Sequence, residues 1–172
     1  MNRFTLIATA AALFSAQYAN AADGTINFTG SITDTACTVN TSSTNQTVAL
    51  GTVSSTSFSG AGSTASSSRF TIELTTCPSA VNTAKVRFDG PTATGNSSIL
   101  RLNAGQSATN VGVAIYEQNS TTLIPIGTAS AGVTLSSTGT NEMVYIAKYM
   151  ATDTTVGAGS ANATTTFTIT YS

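Results

Sequence analysis

The sequence predicts an all-β fold, and the main sign is a two-residue alternation of apolar and polar positions along most of the chain. In one segment Phe70, Ile72 and Leu74 alternate with Thr71 and Glu73, and other segments repeat the pattern. Such alternation places one face of a strand in a core and the other in water. The intervening positions are rich in threonine, which suits strands because β-branched side chains fit a pleated surface. Several short strands with turn signals between them predict a two-sheet, immunoglobulin-like sandwich.

The predicted strands follow one another with little room for helices. They cover residues 24–32, 48–50, 70–74, 86–88, 111–115, 123–127, 143–150 and 167–171. Asp89-Gly90-Pro91 is a strong turn after one of them. Residues 54–68 and 92–98 are rich in Ser, Gly, Ala and Thr, so we interpret them as loops.

Composition excludes several classes of function. The 172 residues include only six Lys or Arg, seven Asp or Glu and no His, and the net charge of −1 does not fit nucleic-acid binding. Without histidine there is no imidazole for acid–base catalysis or metal binding, and we predict neither enzyme nor cofactor. The carboxylates occur singly, which favours surface charge over catalysis: Asp34, Glu73, Asp89, Glu117, Glu142 and Asp153.

Residues 1–21 have the pattern of a signal peptide. A positive start at Arg3 precedes a mostly apolar run over residues 4–16, and Ala19-Asn20-Ala21 has the small-x-small form of a cleavage site. The apolar run is too short for a membrane anchor, and no later segment is predicted to span a membrane as a helix. The alternative is a buried N-terminal helix. We predict an exported chain that begins at Ala22.

The two cysteines are predicted to form a disulfide. Cys37 and Cys77 are the only pair, and an even count in an exported protein favours a bridge. A metal site would need more ligands, and a cysteine nucleophile would need the missing histidine. Closing a loop of about 40 residues stabilises a fold by ~4 kcal/mol in the chain-entropy account.

The two ends of the mature chain carry a more specific signal. A complete alternating segment precedes the first cysteine, and the chain stops directly after its last strand. Here the sequence resembles the pilin subunits of the chaperone–usher pathway, specifically the type 1 fimbrial family. The resemblance covers the whole mature chain and rests on Ala22-Asp23-Gly24-Thr25-Ile26-Asn27-Phe28-Thr29-Gly30-Ser31-Ile32, Cys37, Val48-Ala49-Leu50-Gly51, Phe70-Thr71-Ile72-Glu73-Leu74-Thr75-Thr76-Cys77-Pro78, Tyr149-Met150-Ala151-Thr152, Gly159 (fourteenth from the end) and the penultimate Tyr171.

The resemblance implies an incomplete immunoglobulin-like sandwich that lacks its last strand. Residues 22–33 would be an N-terminal donor-strand extension, and residues 34–172 the pilin domain. Ile26, Phe28 and Ile32 would enter a neighbour's groove, with Gly30 at the point of closest backbone approach. The acceptor groove and the chaperone contact would involve Gly159 at the start of the last strand, Phe167, Ile169, Tyr171 and the carboxylate of Ser172.

The implied partners are a periplasmic chaperone, an outer-membrane usher and neighbouring pilin subunits, and the chain would reach the bacterial surface as part of a fimbria. Four alternatives concern single features. Phe167, Ile169 and Tyr171 could be ordinary core positions of a closed sandwich, and Ile26, Phe28 and Ile32 an ordinary first strand of their own domain. Gly30 could be a bulge and Gly159 a loop glycine. Two concern the whole protein. One is a self-complete secreted sandwich that binds carbohydrate or protein, and the other is a secreted hydrolase that uses the scattered carboxylates.

Overall fold

The computed structural model describes residues 24–30, 32 and 36–172 of the chain. It confirms the all-β prediction. Nine strands lie in this part: β1 (Thr38–Val39), β2 (Thr64–Thr75), β3 (Thr83–Asp89), β4 (Thr92–Ala93), β5 (Asn96–Leu100), β6 (Val111–Glu117), β7 (Val133–Thr134), β8 (Asn141–Ala151) and β9 (Thr166–Tyr171). The helices described are one turn of α-helix, α1 (Thr41–Thr44), and a 3-10 turn at Ser55–Ser57.

The strands form two antiparallel sheets. One has six strands in the order β1-β2-β8-β6-β5-β4, and the other has three in the order β7-β3-β9. The long β2–β8 ladder pairs Phe70 with Tyr145 and Ile72 with Met143. These inward positions build the core between the sheets, where Ile72 and Met143 are both 0% exposed. The alternation read from the sequence therefore assigns the core face of this ladder correctly.

The six-stranded sheet also buries part of its outer face. Every residue of β6 before Glu117 is buried, so both faces of this strand are covered. A second apolar cluster on that face explains this burial, and it contains Ala93, Ile99, Ala114, Tyr116 and Met150. Lys148 helps to cover it, with Nζ 4.7 Å from the centre of the Tyr116 ring and 2.7 Å from the carbonyl of Ser120.

Two predicted loops contain strand residues, and the strands predicted at residues 24–32, 48–50 and 123–127 are not formed in the described part of the chain. Residues 54–68 contain the start of β2, and residues 92–98 contain β4 and the start of β5, which form a hairpin. Gly95, with a φ of +84°, forms the turn of that hairpin. The small and polar residues of segment 92–98 therefore belong to a tight turn and its two paired strands. Leu123 forms an isolated bridge with Tyr116, and the pairing stops there because Pro125 has no N–H to donate and Gly127 turns the chain with a φ of +83°.

The predicted disulfide is present. Cys37 and Cys77, 40 residues apart, are bonded and almost completely buried. The bond joins the residue before β1 to the chain just after β2, where the sheet ladder between the two strands is short. The predicted signal peptide, residues 1–21, lies outside the described residues, as do Asp34 and the start of the extension. Within the described part, no helix is long and apolar enough to cross a membrane.

Candidate strand-docking site

Strand β9 lies at one end of the three-stranded sheet, and β3 is the one strand it pairs with among the described residues. Ser172 and Thr83 exchange both backbone hydrogen bonds, at 3.0 and 2.8 Å. In an antiparallel ladder the bonded pairs alternate, so Thr170 and Thr168 also direct their backbone groups toward β3. The N–H and C=O groups of Phe167, Ile169 and Tyr171 therefore point to the free edge.

The partners of these residues on β3 support that assignment. Val86 lies opposite Ile169. Its backbone groups bond to Ser130 on the other side of β3: the carbonyl of Val86 accepts from the N–H of Ser130 at 2.7 Å, and its N–H donates to Ser130 Oγ at 3.0 Å. Because the backbone groups of Val86 bond away from β9, Ile169 forms no backbone hydrogen bond with Val86 of β3. The free edge of β9 thus offers an unpaired row of donors and acceptors.

The side chains of β9 are less buried than those of the strand beside it. Phe167, Ile169 and Tyr171 pack against the main core but stay half-buried, whereas the opposite residues Val86 and Phe88 are 0% and 1% exposed. Burial raises the pKa of Tyr171 above its usual value, which agrees with its partly apolar surroundings. The core is thus incompletely covered along β9, which is also the strand with the unpaired backbone edge.

A second segment is associated with the same core without belonging to a sheet. Val48, Leu50 and Val53 are half-buried and contact the main core, yet residues 47–53 form no strand. The carbonyls of Ala49 and Leu50 accept hydrogen bonds from the hydroxyls of Ser68 and Ser66, each at 2.6 Å. Sequence reasoning missed these two serines, since a serine in a serine-rich stretch carries no distinguishing signal.

The N-terminal segment has the opposite character: its apolar side chains have no cover. Ile26, Phe28 and Ile32 are 79%, 91% and 100% exposed, and they are the exposed large apolar side chains among the described residues. A side chain added at Gly30 would meet nothing within 4 Å, so contacts with the described residues do not require a glycine there. The chain divides into two compact units after Ile32.

Gly159 occupies a different place from the one predicted. It precedes β9, which begins at Thr166, and it lies against the loop that contains Ser107 and Ala108. A Cβ at Gly159 would come within 2.5 Å of the backbone nitrogen of Ala108, so close backbone approach accounts for the glycine. The segment after it is extended and bonds to that loop, and regular pairing with β3 starts only at Thr166.

The carboxylates do not gather into a site. Glu142 pairs with Arg69 at 3.5 Å and Asp89 with Arg87 at 3.0 Å, both on the surface. Across residues 36–172 and the described N-terminal positions, no group of three or more Asp, Glu, Cys or His side chains is placed to hold a metal ion. What the described chain does bring together is apolar side chains and unpaired backbone along β9. This arrangement suits binding of an extended strand rather than chemistry.

Comparisons with known proteins agree with this description. A family model described as "Fimbrial protein" matches residues 26–172. Long polar fimbria protein A of Salmonella typhimurium is 38% identical over 170 residues, which cover 98% of this chain and 94% of that protein.

Two solved structures share the fold. The crystal structure of a Burkholderia pseudomallei antigen and type I fimbria protein is 40% identical, with a TM-score of 0.62 over 86% of this chain and 97% of that one. A chaperone–usher pilus structure, described as revealing the basis of rod uncoiling, is 26% identical and has a TM-score of 0.62. It covers 88% of this chain and 96% of its own. The incomplete immunoglobulin-like sandwich predicted from the sequence is therefore confirmed.

Proposed function

Because the chain belongs to the fimbrial protein family, whose members are structural subunits of surface pili rather than enzymes, we propose that it polymerises by donor-strand exchange. Residues 22–33 of one subunit would bind along β9 of the next. This mode of assembly is one of the recognised forms of β-strand addition. The proposal covers both a shaft subunit and a short tip adaptor, in a fimbria that supports cell adhesion.

The single observation that carries the proposal is the complementarity of the two ends. β9 has an unpaired backbone edge and half-buried side chains at Phe167, Ile169 and Tyr171. Residues 24–32 supply exposed apolar side chains with the same two-residue spacing. A strand that entered beside β9 could satisfy the free backbone groups and cover the core at the same time.

Apolar burial and a ladder of backbone hydrogen bonds would together drive the assembly. Burial of Ile26, Phe28 and Ile32 would contribute roughly 5–9 kcal/mol of apolar transfer, before the cost of ordering the extension. Gly30 would let the donor backbone approach the groove closely, which explains a glycine that contacts with the described residues do not require.

The exposed edge of β9 is also the reason why the subunit would need a chaperone before assembly. A subunit with an open β9 would aggregate through that edge, so a periplasmic chaperone would occupy it before assembly. The carboxylate of Ser172, at the end of β9, would bind basic residues of the chaperone. At an outer-membrane usher, the extension of the next subunit would replace the chaperone. We propose this route, with cleavage after residue 21 and domain boundaries at 22–33 and 34–172.

The test is a synthetic donor peptide with the sequence of residues 22–33. The chain is refolded from denaturant at low concentration, with its disulfide formed, and thermal unfolding is measured with and without excess peptide. A peptide that binds only the folded state stabilises it by mass action, by ~2.7 kcal/mol at 100 times the Kd. The matched control is the same peptide with Gly30→Leu, which we expect to give little or no shift.

Two outcomes would contradict the proposal. If the wild-type peptide leaves the unfolding temperature unchanged, β9 is not an acceptor for this segment. If the Gly30→Leu peptide stabilises the chain equally, the peptide binds without the close backbone approach that we assign to Gly30.

A further inference from the structure

Residues 47–53 contact the main core and are held in place without a sheet ladder. Among residues 24–30, 32 and 36–172, no backbone N–H of residues 47–53 donates to a backbone carbonyl, and no carbonyl of this segment accepts from a backbone N–H. Its nearest strand is β2, which pairs with β1 only through Thr75 and Leu74. The half-buried Val48, Leu50 and Val53 nevertheless contact the same core as Ile169.

Three side chains replace the missing ladder. Gln46 Nε2 donates to the carbonyl of Thr71 at 3.2 Å. Ser68 Oγ donates to the carbonyl of Ala49, and Ser66 Oγ to the carbonyl of Leu50, both at 2.6 Å. The segment is therefore attached to β2 at separate points, by donors that belong to side chains.

A β-bulge in β2 orients the side chains of Ser66 and Ser68. The register between β2 and β8 shifts between Ala65 and Ser68, and Ser66 has a φ of +64°, which a residue with a side chain adopts rarely. A bulge of this kind redirects side chains that would otherwise stand perpendicular to the sheet. Here it brings two hydroxyls to the edge of β2, where the backbone of residues 49 and 50 passes.

The space between the attachment points is open. A cleft of about 520 Å³ separates residues 46–49 from β2, and Ser68, Arg69, Phe70 and Thr71 line its other side. Because backbone atoms do not fill this gap, the position of residues 47–53 relative to the core depends on the side-chain bonds and on the three apolar anchors.

We infer that Ser66 and Ser68 are positioning residues for the donor strand, and this inference rests on the proposed function. In this inference residues 47–53 form a second wall of the docking site, across the incoming strand from β9. Ser66 and Ser68 hold this wall in place before the strand arrives. Without them the wall would have to be ordered as the donor binds. The cost of that ordering would lower the stability of the bound donor.

The experiment measures binding of a fluorescent peptide of residues 22–33 to the refolded full chain. The variants are Ser68→Ala, Ser66→Gly and the double variant, since glycine tolerates the positive φ of Ser66 and keeps the bulge accessible. One side-chain hydrogen bond contributes roughly a two- to tenfold change in an equilibrium constant. We therefore expect the peptide to dissociate roughly two- to tenfold faster from each single variant and at least about tenfold faster from the double variant.

Two matched substitutions serve as controls. Ser67→Ala removes the exposed hydroxyl between the two serines, which makes no hydrogen bond to the described residues, and Ser68→Thr keeps a hydroxyl at position 68. Both should release the peptide within about twofold of the wild-type rate, since neither removes a bond to the wall. Proteolytic cleavage within residues 47–53 should become faster in the double variant, while hydrogen exchange in the paired parts of β2 and β8 should remain unchanged.

Different results would contradict the positioning role of the two serines and the docking of the donor strand. If the wild-type chain binds the peptide and the double variant releases it at the wild-type rate, the positioning role is wrong and the docking function stands. If exchange rises equally throughout β2 and β8, the serines only stabilise the fold, which also contradicts the inference. If the wild-type chain does not bind the peptide at all, both proposals fail.

Discussion

The two sheets of this protein are built from the same sequence pattern and reach different degrees of completion. In the six-stranded sheet, β6 lies between β5 and β8 and is buried on both faces up to Glu117. In the three-stranded sheet, β9 pairs on one edge only, and its inward side chains remain half-buried. Apolar and polar residues alternate as regularly in β9 as in residues 70–74 of β2, a strand of the six-stranded sheet.

Alternation therefore specifies which face of a strand turns inward, but it does not specify whether that face is fully covered. β6 gains its cover from neighbouring strands and from the side chain of Lys148, which lies over the Tyr116 ring. β9 has no neighbour on its second edge within the described chain. A region that the fold leaves uncovered in this way is where a partner strand can contribute most.

The comparison predicts unequal costs for the same truncation in the two sheets. Ile72 in β2 is 0% exposed, so Ile72→Ala should lower the free energy of unfolding by about 3–4 kcal/mol. Ile169 in β9 is half-buried beside an open edge, so Ile169→Ala should cost about 1–2 kcal/mol. Denaturant unfolding of the refolded chain measures both values.

Adding the donor peptide of residues 22–33 sharpens this test. The cost of Ile169→Ala should rise toward that of Ile72→Ala, because the bound strand completes the burial of β9. Equal costs without peptide would mean that β9 is already as well covered as β2, and the contrast between the sheets would be wrong.

A second prediction concerns pH and the junction between the sheets. Tyr145 lies in β8, and its hydroxyl is 3.2 Å from Ser130 Oγ, which also bonds to Val86 in β3. Burial raises the pKa of Tyr145 from 10.0 to about 12. Because the folded state favours the neutral phenol, the stabilisation is fully present below pH 10 and is lost as the pH rises toward 12. The loss should be about 2–3 kcal/mol.

Unfolding in denaturant at several pH values between 8 and 12 measures the effect, and Tyr145→Phe is the comparison. Its stability should fall less over this range, although Tyr116, Tyr149 and Tyr171, whose pKa values burial also raises, leave a smaller slope. Identical slopes for the two proteins would show that Tyr145 ionises as freely in the fold as in the unfolded chain.

The smallest expected effect tests how the six-stranded sheet is covered. Lys148→Ala removes the bond to the Ser120 carbonyl and the contact with the Tyr116 ring, and should cost about 1 kcal/mol. The control is Lys85→Ala on the exposed face of β3, which should change stability by less than about 0.5 kcal/mol. Hydrogen exchange should rise at residues 118–122 only in the Lys148 variant. No difference between the two would mean that Lys148 does not hold this loop.

Local sequence signals predicted some features well and others poorly. The alternation around Phe70, the paired cysteines and the apolar pattern of β9 depend on residues close in sequence or on a unique pair, and all three predictions agree with the structure. The hairpin within residues 92–98 was missed because glycine and threonine occur in loops and tight turns alike. Gly159 was placed at a strand start, but its role comes from contact with residues distant in the chain.

Sequence alone was sufficient to predict the strand-rich fold, the inward faces of β2, β3, β6 and β9, the disulfide and the likeness of both ends to a strand donor and its acceptor. These depend on side-chain periodicity and on a single possible cysteine pair. Three features were visible only in the tertiary structure. β9 occupies a sheet edge, β6 is covered on both faces, and Ser66 and Ser68 hold residues 47–53. These depend on strand order and on a bulge in β2, because the neighbours that complete a strand come from distant parts of the chain.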